Sequence, residues 1–190
     1  MLFFAIALVP EGNIIPKIRE VRESAFRSGD DPGASALPEA LFLGFYVPGV
    51  LGGEKDLARR FGKEAPSLFE FLPPLLRFSS ASRKDGRWYI LPDEVFPAEL
   101  AASAARIALE SGFIPLETPP LSPGSGFFAG NDVTPRPFGA FSFRHLDALL
   151  YRVETPDMGL KSAWWTVLAR IPRRTGPRRA IAGKGRKSGA

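Results

Sequence analysis

The chain of 190 residues contains one histidine, His145, and no cysteine. Imidazole is the side chain whose ordinary pKa lies nearest to neutrality, so His145 is the first candidate for acid–base chemistry. It lies in the segment Phe-Arg-His-Leu-Asp of a predicted strand, which would place Asp147 on the same face. A His–Asp pair also needs a nucleophile beside it, and the sequence does not place one. A solvated or hydrogen-bonded structural histidine is therefore the simpler interpretation.

Other chemistries find less support in the sequence. The lack of cysteine excludes disulfides and thiolate metal sites. The one close acidic pair that stands out, Asp30 and Asp31, lies in a predicted turn, so neither a metal nor another cofactor is predicted. The stretch Gly-Lys-Gly-Arg-Lys-Ser near the C-terminus has no helix after it and does not fit a phosphate-binding loop.

The basic charge of the chain is concentrated at the C-terminus. The formal net charge is +5, and without the seven basic residues of the segment 173–190 the rest of the chain would carry −2. This Gly-rich segment is predicted to be a mobile tail that attracts phosphate groups, as in RNA, although a merely solubilising terminus is the alternative. Its basic residues are Arg173, Arg174, Arg178, Arg179, Lys184, Arg186 and Lys187.

The remainder of the chain has globular composition, 45% hydrophobic and 24% charged. Residues 1–172 are therefore predicted to form a single two-lobed domain, followed by the tail 173–190. The apolar run from Leu2 to Pro10 has no basic residue before it and is interpreted as a buried strand rather than a targeting segment. No stretch approaches the roughly 18 apolar residues of a membrane-spanning helix. We expect a cytoplasmic protein without a membrane partner.

The apolar periodicities predict the order β-α-β-α-β-β-α-β-β-β, with a long Pro/Gly loop over 118–139. Hairpin-joined, amphipathic strands indicate an α+β fold with antiparallel sheets. Two β-α-β groups, beginning at Leu2 and near Trp88, suggest a duplicated, two-lobed arrangement. The predicted strands cover 2–8, 41–47, 67–80 (broken by Pro73-Pro74), 87–91, 113–117, 140–154 and 163–171. The predicted helices cover 54–63, 97–111 and a first segment that begins around Ile14 and ends near Gly29.

One strand carries a recognisable motif. Residues 38–49 read Pro-Glu-Ala-Leu-Phe-Leu-Gly-Phe-Tyr-Val-Pro-Gly. The chain resembles the 2H phosphoesterase superfamily, in its 2′-5′ RNA ligase-like and cyclic phosphodiesterase branch, whose segment has the form Pro-Glu-x-Leu-His-x-Thr-Leu-x-Phe-x-Gly. The histidine position of that motif holds Phe42 and the threonine position holds Gly44. The resemblance extends over roughly residues 1–171.

The resemblance implies a second His-x-Thr motif, for which two registers remain open. Pro120 and Ser122 would replace histidine and threonine in one register, and Asp132 and Thr134 would occupy them in the other. The family implied by the resemblance uses two histidines across a central cleft, one as base and one as acid, with the threonines holding phosphate. A chain with a single histidine excludes that mechanism by count.

The sequence therefore predicts a catalytically inactive 2H phosphoesterase-like protein that binds RNA ends or nucleotides in a remnant cleft. Phe42 and Gly44, two residues apart on a strand, would share the face toward that cleft, or both would be plain core residues. A protein-interaction scaffold with Phe127 and Phe128 as loop anchors is an alternative. A phosphodiesterase with a substituted acid–base set is another, and that set would be Ser122, Asp132, Thr134 and His145.

Overall fold

The computed structural model describes residues 1–10, 12–29, 37–156, 160 and 162–173. In this part of the chain the α-helices are α1 (Ile14–Arg27), α2 (Glu54–Glu64) and α3 (Ala98–Leu109), and a 3₁₀ helix (Ala65–Phe71) follows α2. The strands are β1 (Leu2–Pro10), β2 (Leu41–Pro48), β3 (Leu76–Lys84), β4 (Arg87–Pro92), β5 (Phe113–Pro115), β6 (Phe127–Gly130), β7 (Phe141–Phe143), β8 (Leu146–Glu154) and β9 (Trp164–Pro172).

The strands form two antiparallel sheets. The five-stranded sheet has the order β5-β2-β1-β8-β9, and the four-stranded sheet has the order β6-β4-β3-β7. All seven strand pairs are antiparallel. The prediction of an α+β fold with two antiparallel sheets in two lobes is confirmed.

The helices tie the two lobes together. Helix α1 connects two strands of the five-stranded sheet, yet it packs against β6 and β7 of the four-stranded sheet. Helix α3 leaves β4 of the four-stranded sheet and packs against β2 of the five-stranded sheet. The first β-α-β group thus lies in one sheet, whereas the second, β4-α3-β5, crosses from one sheet to the other.

The sheets and helices enclose two hydrophobic clusters, one on each face of β1. Phe4, Ile6 and Leu8 belong to the first cluster, and Phe3, Ala5 and Ala7 belong to the second. Since successive side chains of a strand point to opposite faces, β1 is buried on both sides. The first cluster includes the apolar faces of the helices, and the second includes side chains of both sheets.

Strand β2 contains a β-bulge, which interrupts the regular alternation of its side chains between the two faces of the sheet. Ile6 of β1 lies opposite Gly44 and Ala7 lies opposite Phe42, so Leu43 is the extra residue. Phe42 and Phe45 consequently both lie in the second cluster. Gly44 instead faces the side chain of Tyr46, which belongs to the first cluster. The prediction that Phe42 and Gly44 share one face is therefore wrong, because the alternation assumed an unbroken strand.

The segment predicted as a strand over 67–80 is half helical. Residues 65–71 form the 3₁₀ helix, and β3 begins only at Leu76, after the two prolines. Pro66 lies in the first turn, where its fixed φ and missing N–H suit a helix, and the Ser67 hydroxyl donates to the Glu64 carbonyl at 2.8 Å. The buried residues Ala65 and Leu68 follow a three-residue step, which a helix needs and a strand does not.

Two predictions about the C-terminal third are corrected. The loop 118–139 contains β6, which pairs with the edge of β4. The single strand predicted over 140–154 is two strands, because Phe141–Phe143 pairs with β3 of one sheet and Leu146–Glu154 pairs with β1 of the other. The chain changes sheets at Arg144 and His145, so alternation along one strand does not apply there.

Replacement of Gly44 by alanine should destabilise the protein by about 1–3 kcal/mol, because a Cβ there would overlap the buried Tyr46 ring. Gly62→Ala in α2 is the matched control. Its Cβ would meet no atom within 4 Å, and alanine should stabilise the helix by about 0.5–1 kcal/mol. Urea unfolding of both variants measures the difference, and equal stabilities would contradict the packing of Tyr46 against Gly44.

Candidate functional site

His145 lies on the surface between β7 and β8 rather than in the middle of a strand. Asp147, two residues later, is only 2% exposed, and its Oδ2 accepts a hydrogen bond from Nε of Arg170 on the neighbouring strand β9. Asp147 therefore forms an ion pair that connects β8 and β9. Its other carboxylate oxygen, Oδ1, is also buried.

Phe42, at the histidine position of the motif, is packed among aromatic rings. It is 3% exposed, it stacks on Phe45 with ring centroids 5.1 Å apart, and it contacts Trp165 at 5.4 Å. Trp165 in turn meets the ring of Tyr151 edge-on at 5.6 Å. An aromatic ring at this position contributes packing energy and cannot transfer a proton.

The second cluster brings the two sheets into contact at the place where the resemblance implies a cleft. From the four-stranded sheet it contains Tyr89 and Phe128, whose rings meet edge-on at 6.1 Å. From the five-stranded sheet it contains Phe3 and Phe45, at 6.0 Å. The space opposite Phe42 is therefore filled by side chains of the described residues.

A loop formed by residues 120–125, here called the closing loop, covers one side of this cluster. It touches both sheets, since the Gly124 N–H donates to the Phe42 carbonyl at 2.7 Å and the Ser122 N–H donates to the Tyr89 hydroxyl at 3.0 Å. Arg87 donates to the Pro120 carbonyl. Leu121 inserts into the second cluster. The closing loop thus holds the two lobes together at this end.

The closing loop contains one of the two predicted registers of the second motif. Pro120 is buried, and the Ser122 hydroxyl donates to Oδ2 of Asp85 at 2.5 Å. The other register lies elsewhere on the surface, where Thr134 is exposed and Oδ1 of Asp132 lies 3.7 Å from the Arg83 guanidinium. The structure therefore brings the closing loop to Phe42, through the hydrogen bond from the Gly124 N–H.

Arg22 of α1 is a buried cation that the sequence did not single out. Its guanidinium donates to the Leu37 carbonyl at 2.8 Å, lies 3.7 Å from a Glu39 carboxylate oxygen, and sits over the Phe128 ring at 6.0 Å. Burial lowers the pKa of Arg22, and the Glu39 charge opposes that effect. These contacts attach α1 to the residues that precede β2.

A groove runs along the exposed side of α1, opposite residues 136–141, and is here called the α1 groove. Its volume is about 610 Å³. The helix contributes residues at steps of three and four, which place them on one face. The other wall is separated from them by more than a hundred positions of sequence, so the pattern of α1 alone could not predict the groove. Its lining residues include Lys17, Glu20, Arg27, Arg136, Phe138 and Gly139.

Of the predicted RNA contacts in the tail, the structure describes only Arg173. Its backbone N–H donates to the Leu146 carbonyl at 2.9 Å, and its guanidinium donates to the carbonyls of Leu72 and Pro73 at 3.2 Å. Burial lowers its pKa. Arg173 is thus attached to the folded domain. The other predicted contacts, Arg174, Arg178, Arg179, Lys184, Arg186 and Lys187, lie outside the described residues.

Within the described part of the chain, no group of three or more His, Asp or Glu residues is arranged to hold a metal ion. No helix in the described ranges is long and apolar enough to cross a membrane. Comparisons with protein-family models, with curated proteins and with solved structures find no match to this chain. Inferences about its function therefore rest on its own residues and on the resemblance of the motif around Phe42.

Phe42→Ala should lower the free energy of unfolding by about 3–5 kcal/mol, because it removes a ring packed between Phe45 and Trp165. Val50→Ala is the control, since Val50 is fully exposed and its loss should change the stability by less than about 0.5 kcal/mol. Denaturant unfolding compares the two. A loss below about 1 kcal/mol for Phe42→Ala would indicate an open, hydrated cleft.

Burial, with a smaller effect from the Glu39 charge, raises the pKa of Tyr151 from its ordinary value of 10 to about 12. The neutral phenol is favoured in the folded state, so its contribution is complete below pH 10 and is lost as the pH rises toward 12. We expect unfolding free energy to fall in this window. Tyr151→Phe should make the fall less steep by about one proton, or about 1.4 kcal/mol per pH unit. An unchanged slope would contradict the burial of the hydroxyl.

Proposed function

We propose that this protein is a non-catalytic relative of the 2H phosphoesterases that binds RNA ends or nucleotides. The observation that carries the non-catalytic part is the single histidine, which lies on the surface between β7 and β8. A mechanism with one imidazole as base and another as acid needs two such groups facing one substrate. Here the histidine position of the β2 motif is a buried phenylalanine.

The two-lobed fold and the motif of residues 38–49 support the relation to that superfamily, and the charge of the chain supports the class of ligand. Arg174, Arg178, Arg179, Lys184, Arg186 and Lys187 would add electrostatic attraction to a phosphate backbone. The filled second cluster argues against a base stacked beside Phe42, so the proposed ligand binds at the surface of the domain rather than between the sheets.

A catalytic assay tests the first part of the proposal. We expect no turnover of 2′,3′-cyclic nucleotides or 2′-5′-linked dinucleotides, and the same result for His145→Ala and Ser122→Ala. Turnover by the natural protein that disappears in His145→Ala would contradict the proposal, and would favour an enzyme with a substituted acid–base set. The folded state of each variant is checked by its unfolding midpoint.

Binding of a short, labelled single-stranded RNA tests the second part. For about three phosphate contacts with a single strand, the affinity should fall roughly 20-fold between about 50 and 200 mM salt. Deletion of residues 174–190 should weaken binding, and this deletion retains Arg173 because that residue packs against the domain. Salt-independent binding, or none at micromolar protein, would exclude RNA as the ligand.

A protein-interaction scaffold is the second candidate, and the edge strand β9 is the observation that favours it. Trp164 and Val167 on this strand are 77% and 50% exposed, although both are large and apolar. Within the described residues β9 pairs only with β8, so its other edge can accept a further strand. Phe127 and Phe128 do not contribute, because both are buried in β6. A concentration-independent monomer with no co-purifying protein would count against this candidate.

A further inference from the structure

The α1 groove has a volume in the range of small-molecule sites. Pockets that bind small ligands commonly measure about 300–1,000 Å³, and this groove has a volume of about 610 Å³. A hydrogen bond connects its two walls, from the Arg136 backbone N–H to the Ser24 hydroxyl oxygen at 3.0 Å. The Ser24 hydroxyl donates in turn to the Val21 carbonyl at 2.6 Å, which fixes it to the helix.

The floor of the groove is apolar and is supported by the core. Phe138 is half-buried, and its ring lies 6.0 Å from that of Phe141. Phe141 is itself stacked on Phe78 at 5.4 Å, and Val21 completes the floor from the helix side. Phe138 therefore presents a ring whose position is set by a column of aromatic side chains, which suits the stacking of a planar ligand.

The rim of the groove carries an excess of positive charge. Glu23 forms an ion pair with Arg27 at 3.0 Å, so these two charges compensate each other. Among the described residues, Lys17, Glu20 and Arg136 make no ion pair. Two cations and one carboxylate thus remain on the two walls, one cation from the helix and one from the facing segment. A guanidinium can bind phosphate or carboxylate oxygens through two parallel hydrogen bonds.

We infer that the α1 groove binds a nucleoside monophosphate, either free or as the end of an RNA strand. The base stacks on Phe138, and the phosphate is bound by Arg136 and Lys17 across the groove. The choice of a nucleotide among planar anions rests on the function proposed above, whereas the need for an aromatic ring and a negative charge rests on the groove itself. The site is separate from Phe42 and the closing loop, so it does not require the lobes to open.

Four variants separate the components of this site. Arg136→Gln and Lys17→Gln remove the cations, and Arg136→Gln retains the backbone N–H that contacts Ser24. Phe138→Leu keeps an apolar side chain and removes the ring. Gly139→Phe fills the groove from its wall, since a Cβ there meets no atom within 4 Å. Lys63→Gln is the matched control, because Lys63 is an exposed cation on α2, outside this groove.

Isothermal titration of the full chain with adenosine monophosphate, adenosine and inorganic phosphate measures binding, and the short labelled RNA of the previous section serves as the second probe. We expect Arg136→Gln to weaken binding of the monophosphate about tenfold or more, and Gly139→Phe to abolish it. Lys17→Gln and Phe138→Leu should each weaken it, Lys63→Gln should leave it unchanged, and adenosine or phosphate alone should bind more weakly. Thermal unfolding verifies that each variant is folded.

The possible results distinguish this inference from the proposed function. If RNA or the monophosphate binds with the same affinity to Arg136→Gln and Gly139→Phe as to the natural protein, the groove is not the site and the proposed function stands. If RNA alone binds and these variants weaken it, the groove binds RNA ends. If neither RNA nor the monophosphate binds the natural protein at millimolar ligand, both the groove inference and the proposed function are overturned.

Discussion

Strand β1 is apolar on both faces, and the rest of the fold has to cover them both. It lies at the centre of the five-stranded sheet, between β2 and β8. The face of Phe4, Ile6 and Leu8 is covered within the first cluster, where helices α2 and α3 contribute. The other face is covered by side chains of the four-stranded sheet. Because apolar area removed from water is the main favourable term in folding, the contact between the sheets is part of the core.

This requirement has a chemical consequence. A cleft between two lobes can hold a substrate only if its walls remain partly exposed, and such walls carry polar groups that interact with water or ligand. In this chain the buried cluster between the two sheets contains Phe42, Tyr89 and Phe128, and the closing loop hydrogen-bonds to both sheets. Burial of each of these rings stabilises the contact between the two lobes. Stability and an open catalytic cleft are thus in direct competition at this position.

The charged side chains of the domain are also divided between the buried contact of the two sheets and the surface. Arg22 is a buried cation beside the second cluster, and it contacts Glu39, Leu37 and Phe128. A buried cation needs such partners, because its desolvation is costly. Exposed cations that could bind an anionic ligand lie instead at the α1 groove, whose lining includes Lys17 and Arg136. The function proposed for this protein therefore uses its surface.

Local patterns alone were sufficient for some of the regular elements, namely α1, α3 and β1. The three- and four-residue steps of α1, the Ala- and Leu-rich composition of α3 between Pro97 and Gly112, and the dense apolar run of β1 predicted those elements to within about two residues at most boundaries. They also predicted antiparallel sheets, since short turns connect several strands. The count of one histidine excluded a two-histidine mechanism without any structure.

The tertiary structure decided which residues meet. The bulge at Leu43 depends on the pairing of β2 with β1, and it separates Phe42 from Gly44. The chain changes sheets at His145 because β7, before it, pairs with β3, whereas β8, after it, pairs with β1. Lys17 and Arg136 line the same groove only because α1 packs on the four-stranded sheet, although it connects strands of the five-stranded sheet. Periodicity reports the local geometry of a segment, whereas these features depend on partners that are distant along the chain.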